Sequence, residues 1–269
     1  MQDSLVYFIT GANKGIGLHL TRALLQRENA IVIATKRAFS TDSSELEGLS
    51  KAQSSRLIIL TLSSEIGVGK KKENTVDDLV ERLKNEGVEN IDTLILNAGA
   101  ATSFQSAAET SVEELQAHFQ INTVWPIRTY QVLRPLLLVS SSVSGSKEGE
   151  GEEKKIQKKI IYISSYLGSI GGMEDKTPSL AYGISKAAGN YFVRKVHFEE
   201  EGSGAVCVAI HPGWVKTDNG QAFADSLGVK EPPMNLEESV GGVMRQIDIA
   251  SRGSTSGSFI SWKGDVVPW

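Results

Sequence analysis

Tyr182 and Lys186 stand four residues apart in a stretch of helical periodicity, so both project from one helix face. A phenol and an ammonium placed this way form a proton-transfer pair. The positive charge favours phenolate, which predicts a tyrosine pKa below the ordinary value of about 10. Such a group gives a proton to a developing alkoxide, or takes one from an alcohol. Upstream, Ile161-Tyr162-Ile163-Ser164-Ser165 ends an apolar run in two hydroxyls. Open parallel sheets form their sites at strand carboxyl ends, and a serine there can donate a hydrogen bond to a carbonyl oxygen. Each piece alone has an ordinary alternative: a half-buried tyrosine beside a surface lysine, and serines that cap a strand.

A second group of residues fits an anion. Thr10-Gly11-Ala12-Asn13-Lys14-Gly15-Ile16-Gly17 follows the first apolar run and opens a helical stretch. Glycines let the backbone turn tightly and approach a pyrophosphate, and a helix amino terminus offers N–H groups to it. The second apolar run ends Ala34-Thr35-Lys36-Arg37. An NAD site carries an acid there for the ribose 2′-hydroxyl. Here two cations replace it, and Arg37 can hold a 2′-phosphate through paired charge-assisted hydrogen bonds. Lys14 adds a third positive charge. The pattern favours NADP(H) over NAD(H), against the alternative that Lys36 and Arg37 are simply solvated.

The elements that must position these groups alternate along the chain. Apolar runs at 5–10, 31–34, 57–62, 93–97, 160–164 and 205–210 read as buried parallel strands, with a last one at 258–262. Helical stretches lie at 16–26, 74–85, 112–139, 180–200 and 236–250. This alternation predicts a doubly wound α/β fold with helices on both faces of the sheet. The 269 residues, 40% hydrophobic and 22% charged, suit one core of that kind. A net charge of −4 is a poor match to nucleic acid. Residues 140–159, rich in Ser, Gly, Glu and Lys, read as a flexible surface insertion, and Lys70-Lys71-Lys72 as a charged turn. The single cysteine, Cys207, lies in an apolar run and reads as a buried thiol. The four histidines have no carboxylate or cysteine at ligand spacing, so no metal is expected, and His211 reads as structural. The first apolar run is too short to span a membrane, and a cytoplasmic protein is expected.

In their order, Gly11-x-x-x-Gly15-x-Gly17, Asn97-Ala98-Gly99, Asn122, Ser165, Tyr182-x-x-x-Lys186 and Pro212-Gly213-Trp214-Val215-Lys216-Thr217 resemble the short-chain dehydrogenases/reductases over essentially the whole chain. More narrowly, Leu180-Ala181-Tyr182-Gly183-Ile184-Ser185-Lys186, Asn190-Tyr191, Val193-Arg194-Lys195, His197-Phe198-Glu199 and the ending Val267-Pro268-Trp269 resemble the norsolorinic acid ketoreductases of fungal polyketide pathways. The resemblance implies a single Rossmann-like domain over 1–269, a three-layer sandwich with a mainly parallel seven-stranded sheet. It implies Tyr182 as general acid, Lys186 on the phenol and the nicotinamide ribose, and Ser165 on the substrate carbonyl. It makes Asn122 a kink in the fourth helix that holds a relay water. It places Asn97, Ala98 and Gly99 on the adenine-ribose side, Leu62 beside them, and Val215 and Thr217 at the carboxamide. Motif position favours Ser165 over Ser164.

Three features depart from the family's pattern. Thr61 stands where an acid usually reads adenine, the spacing from Ser165 to Tyr182 is long, and the 140–159 insertion has no usual counterpart. The expected activity is NADPH-dependent reduction of a ketone or aldehyde, with an aromatic polyketide-like ketone as the narrower substrate class. Apolar Trp214 and Phe223, where the family has its lid, suit such a flat substrate. An NAD-dependent alcohol dehydrogenase and a non-catalytic NADP(H) sensor are the alternatives. A homodimer or homotetramer is implied, packed through the helices that carry Asn122 and Tyr182.

Overall fold

The computed structural model describes residues 4–38, 40–63, 75–139, 142–143, 154–173 and 177–269. Seven strands build the main sheet: β1 (Leu5–Ile9), β2 (Ala30–Lys36), β3 (Arg56–Thr61), β4 (Thr93–Leu96), β7 (Lys159–Ile163), β8 (Val206–His211) and β9 (Ser258–Ser261). Their order is β3-β2-β1-β4-β7-β8-β9, and every neighbouring pair is parallel. The sheet is therefore wholly parallel, one step beyond the mainly parallel sheet expected. Strands buried on both faces cannot alternate apolar with polar, which is why β1 and β8 read as continuous apolar runs.

The helices are α1 (Gly15–Leu25), α2 (Ser44–Glu47), α3 (Leu79–Asn85), α4 (Val112–Phe119), α5 (Trp125–Leu137), α6 (Leu180–Glu199), α7 (Asp218–Ser226) and α8 (Leu236–Ile249). One sheet face packs Phe8, Leu94 and Tyr162 against Leu133 of α5 and Val193 of α6. The other packs Ile9, Val32 and Ile161 against Leu20 and Leu24 of α1 and Val243 of α8. The strand order reverses across the β1–β4 boundary, which opens a crevice at the strand carboxyl ends.

The predicted helix over 112–139 is interrupted. Residues Gln120–Val124 form a π-turn between α4 and α5, with the Trp125 N–H reaching back five residues to the Gln120 carbonyl. The sequence supplies the cause. Pro126 has no N–H to offer the carbonyl of Asn122, so the regular ladder cannot close there. The Tyr162 hydroxyl fills the gap and donates to the Asn122 carbonyl at 2.8 Å.

Of the predicted insertion, Ser142–Val143 (β5) and Lys154–Lys155 (β6) pair antiparallel. Residues 140–141 and 144–153, the Lys70–Lys72 run and residues 174–176 lie outside the described residues. The last part of the insertion belongs to the fold: Lys158 is buried, and its Nζ donates to Asp92 Oδ1 at 2.8 Å. Cys207 is fully buried, and burial pushes its thiol up to about 12, as an inert core thiol requires. No helix among the described residues is long and apolar enough to cross a membrane.

Candidate active site

The turn after β1 is held by its neighbours. The Thr10 hydroxyl accepts from the N–H groups of Asn97 (3.0 Å) and Ala98 (2.9 Å). The Asn97 side chain donates to the carbonyls of Thr10 (2.9 Å) and Gly11 (3.0 Å). Gly11 sits at φ +65°, against the Ala98 backbone, where only glycine is comfortable. A Cβ on Gly17 would lie 2.2 Å from the Gly11 carbonyl and 2.5 Å from Asn97 Nδ2. Gly17→Ala is therefore expected to break this brace. It should cost about 2 kcal/mol or more, in the range of core overpacking, read as a fall in denaturation midpoint. An unchanged midpoint would contradict the packing. The N-cap residue of α1, Lys14, makes no side-chain cap, and Gly15 and Ile16 of its first turn line the crevice.

The crevice is a cavity of about 810 Å³. Every residue predicted for the site lines it except Gly17 and Asn122, which brace it from behind. Arg37 is exposed at its rim and has no ion-pair partner among the described residues. Lys36 is less free than expected: its Nζ donates to Ser43 Oγ (2.8 Å) and the Thr41 carbonyl (3.3 Å). Lys14 pairs with Asp218 of α7 across the mouth of the cavity. Thr61 does not reach the cavity, whereas Leu62 does.

At the other end stand the hydroxyls. Ser165 caps a short 3-10 turn, Tyr166–Gly168, and its Oγ accepts the Leu167 N–H at 3.3 Å. Its side chain stands beside the Tyr182 phenol, on which it acts to lower the pKa. Ser164 is committed elsewhere: its hydroxyl donates to Asn190 Oδ1 at 2.6 Å, in the buried seam between β7 and α6. The two serines are thus separated by structure, with Ser165 alone beside the phenol. His211 accepts the Tyr166 N–H on Nδ1 at 3.1 Å, and burial brings its pKa down to about 4. It is a neutral ring that steadies the Ser165 turn.

The expected lowering of the Tyr182 pKa is corrected. Burial pushes the phenol up to about 12, against the opposing effect of Ser165. Lys186 does not offset this: it is 3% exposed and brought down by burial to about 7. An amine stripped of water carries less charge to share. Its Nζ donates to the Ile163 carbonyl at 2.9 Å and lies 5.8 Å from the Tyr182 ring centre. Between the ordinary lysine value of 10.5 and about 7, the unfolded chain holds a proton that the folded chain has released. Stability therefore falls as pH drops through this window, and the penalty is complete below it. Lys186→Met removes that penalty. The melting-temperature difference, variant minus wild type, is expected to be largest near about pH 6 and to shrink towards about pH 10. A difference independent of pH would contradict the burial of this amine.

Asn122 is fully buried and saturated. Its Nδ2 donates to the Ala100 carbonyl and to Ser185 Oγ, both at 2.9 Å, and its Oδ1 accepts the Ala100 N–H at 2.9 Å. It joins the loop after β4 to α6. Sequence reasoning passed over several residues of the site. Thr35 lines the cavity, and its hydroxyl accepts the Gly11 N–H at 3.3 Å. Asn219 donates to the Gly99 carbonyl at 3.3 Å. Phe104 and His118 carry no motif, and only the fold brings them to Tyr182. The Thr217 cap, which accepts the Gly220 N–H at 3.1 Å, was the readable signal for α7.

The chain is similar to known proteins along its length. A family model described as short chain dehydrogenase matches residues 5–227. The norsolorinic acid ketoreductase of Aspergillus parasiticus is 35% identical over 271 residues, which cover 99% of this chain and 92% of that protein. The short-chain dehydrogenase RED3 of Pyricularia oryzae is 33% identical over the full length of both. Among solved structures, the NADPH-bound carbonyl reductase from chicken fatty liver superposes with a TM-score of 0.77 at 30% identity, covering 99% of this chain and 100% of that one. Matched along its length in sequence and in fold, the chain belongs to the short-chain dehydrogenase family of oxidoreductases.

Proposed function

We propose that this protein reduces a ketone or aldehyde to an alcohol with NADPH, the whole chain acting as one domain. One observation carries the reading: a single cavity joins the glycine turn and Arg37 at one end to the Ser165 and Tyr182 hydroxyls at the other. The cradle fits a dinucleotide. A Cβ at Gly11 would crowd Ala98 and one at Gly17 would strike the Gly11 carbonyl, so the turn keeps its tight path only with glycine, and the start of α1 presents N–H groups to a pyrophosphate. Arg37 would hold the 2′-phosphate, with Lys14 and Lys36 beside it. Asn97, Ala98 and Gly99 would flank the ribose, and Val215 and Thr217 the carboxamide. NADPH, when bound, supplies the hydride.

The chain's own residues do the rest. Ser165 donates to the carbonyl oxygen and holds it beside Tyr182. Tyr182 is a neutral phenol at working pH, because burial holds its pKa far above 7. It is ready to give its proton to the forming alkoxide. This is the protonation state that carbonyl reduction requires of its acid. Lys186 anchors the phenol's surroundings through the Ile163 carbonyl, and Asn122 locks Ala100 and Ser185 in register.

The narrower reading is an aromatic polyketide-like ketone of secondary metabolism. Likeness to the norsolorinic acid ketoreductases supports it, as do the apolar Trp214 and Phe223 on the cavity. A homo-oligomer is part of the reading. Ile184, Tyr191 and Phe198, seven residues apart on α6, leave an exposed apolar stripe that Phe119 of α4 extends. Titration with NADPH and NADH, followed by loss of nicotinamide absorbance against aromatic ketones, quinones and aldehydes, tests the reading. Tighter NADPH binding with turnover is expected. NADH preference, or no turnover on any member, counts against it.

A further inference from the structure

We infer that Phe104 is the residue that selects flat aromatic substrates, and that His118 is its positioning residue. The inference deepens the reductase reading and rests on it for the identity of the substrate as a carbonyl compound.

Phe104 belongs to the irregular segment that follows β4, and it lines the cavity. Its ring lies 5.9 Å from that of Tyr182 at 60°, and 4.9 Å from that of Phe223 on α7. Phe223 in turn lies 5.1 Å from Trp214. Three rings from three separate segments thus form one continuous apolar wall that ends at the phenol. A planar aromatic ketone laid against this wall gains ring–ring contact beside the proton donor. A small aliphatic ketone reaches Ser165 and Tyr182 without it.

A wall residue on a loop selects only if the loop is held. This one is pinned at three points. Asn122 grips both backbone groups of Ala100 at 2.9 Å. The Thr102 N–H donates to His118 Nε2 at 3.2 Å. The Gln105 carbonyl accepts the Leu180 N–H at 3.3 Å, two residues before Tyr182. Phe104 lies between the second and third pins. His118 is 1% exposed and meets the Tyr182 ring edge-on at 6.3 Å. Its Nδ1 donates to the Glu114 carbonyl at 2.9 Å. The Thr102 N–H needs an acceptor and the Glu114 carbonyl needs a donor, so the ring is neutral with its proton on Nδ1. Asn122 and His118 come from one helix and its π-turn, and the third pin comes from the start of α6, which carries the phenol.

The test uses fluorenone, a flat tricyclic ketone, with cyclohexanone as its small counterpart. Equilibrium dialysis on protein saturated with NADP+ reads binding without hydride transfer, and NADPH oxidation reads turnover. Phe104→Ala is expected to weaken fluorenone binding about tenfold, the scale of one lost aromatic contact with its buried area. The KM for cyclohexanone and for NADPH should stay within about twofold. Phe104→Leu, which keeps most of the volume, guards against a folding defect and should show the same selective loss in smaller measure. His118→Leu should weaken fluorenone binding as Phe104→Ala does, with kcat on cyclohexanone retained. His118→Gln, which restores an acceptor for Thr102, should recover it. Fluorenone binding that is absent in the wild type, or unchanged in Phe104→Ala, overturns the inference, as does an equal loss on both ketones. If fluorenone binds in a Phe104-dependent way but no ketone is reduced, the reductase reading fails while the selecting role of Phe104 stands. If fluorenone is reduced but its binding ignores Phe104, the reverse holds.

Discussion

Tyr182→Phe is expected to lower kcat for carbonyl reduction by about a thousandfold while leaving NADPH affinity within about twofold. The substitution removes one oxygen and keeps the ring. Contacts with Phe104 and His118 depend on that ring, so the wall and the fold survive. What is lost is the only proton that the Ser165–Tyr182 pair can hand to an alkoxide from the phenol side. Ser165 is tied by Leu167 and holds the carbonyl oxygen in this account, so it does not substitute as acid. Steady-state turnover and NADPH titration on the same preparation check both halves. Turnover within tenfold of the wild type would remove Tyr182 from the chemistry.

Arg37→Asp is expected to raise the KM for NADPH by about a hundredfold and to leave that for NADH nearly unchanged. Three cations stand near the end of β2, but they are not equivalent. Lys36 is spent on Ser43 and Thr41 within its own turn, and Lys14 is paired with Asp218. Arg37 is exposed at the cavity rim and presents a planar fork that suits a phosphate. The aspartate adds repulsion to the lost contact, so discrimination should invert rather than fade. Equal losses with NADPH and NADH would place the 2′-phosphate elsewhere.

The sheet and the shared helix face of Tyr182 and Lys186 were legible because they are local. Tyr182 and Lys186 share a helix face by spacing alone, and the strands announce themselves as apolar runs bounded by turns. The glycine turn is equally local. The rest depends on contacts between distant segments. His118 looks like one of several scattered helix histidines until Thr102 is folded against it. Ser164 and Ser165 are indistinguishable in sequence, and only Asn190 on α6 separates them. A kink at Asn122 was expected from resemblance, but not its form as a π-turn, although the missing N–H of Pro126 was there to be read. The sign of the Tyr182 shift was misjudged because charge proximity was weighed without burial: the same desolvation that raises the phenol discharges the lysine meant to lower it.

The most direct measurement follows the atom transferred. Wild-type protein is incubated with an aromatic ketone and NADPH carrying deuterium at the transferable position, and the product is analysed by mass spectrometry. The expected product is an alcohol with deuterium on the carbinol carbon, formed by the wild type and nearly absent with Tyr182→Phe. An alcohol without deuterium, or no alcohol from any ketone under saturating NADPH, would contradict it.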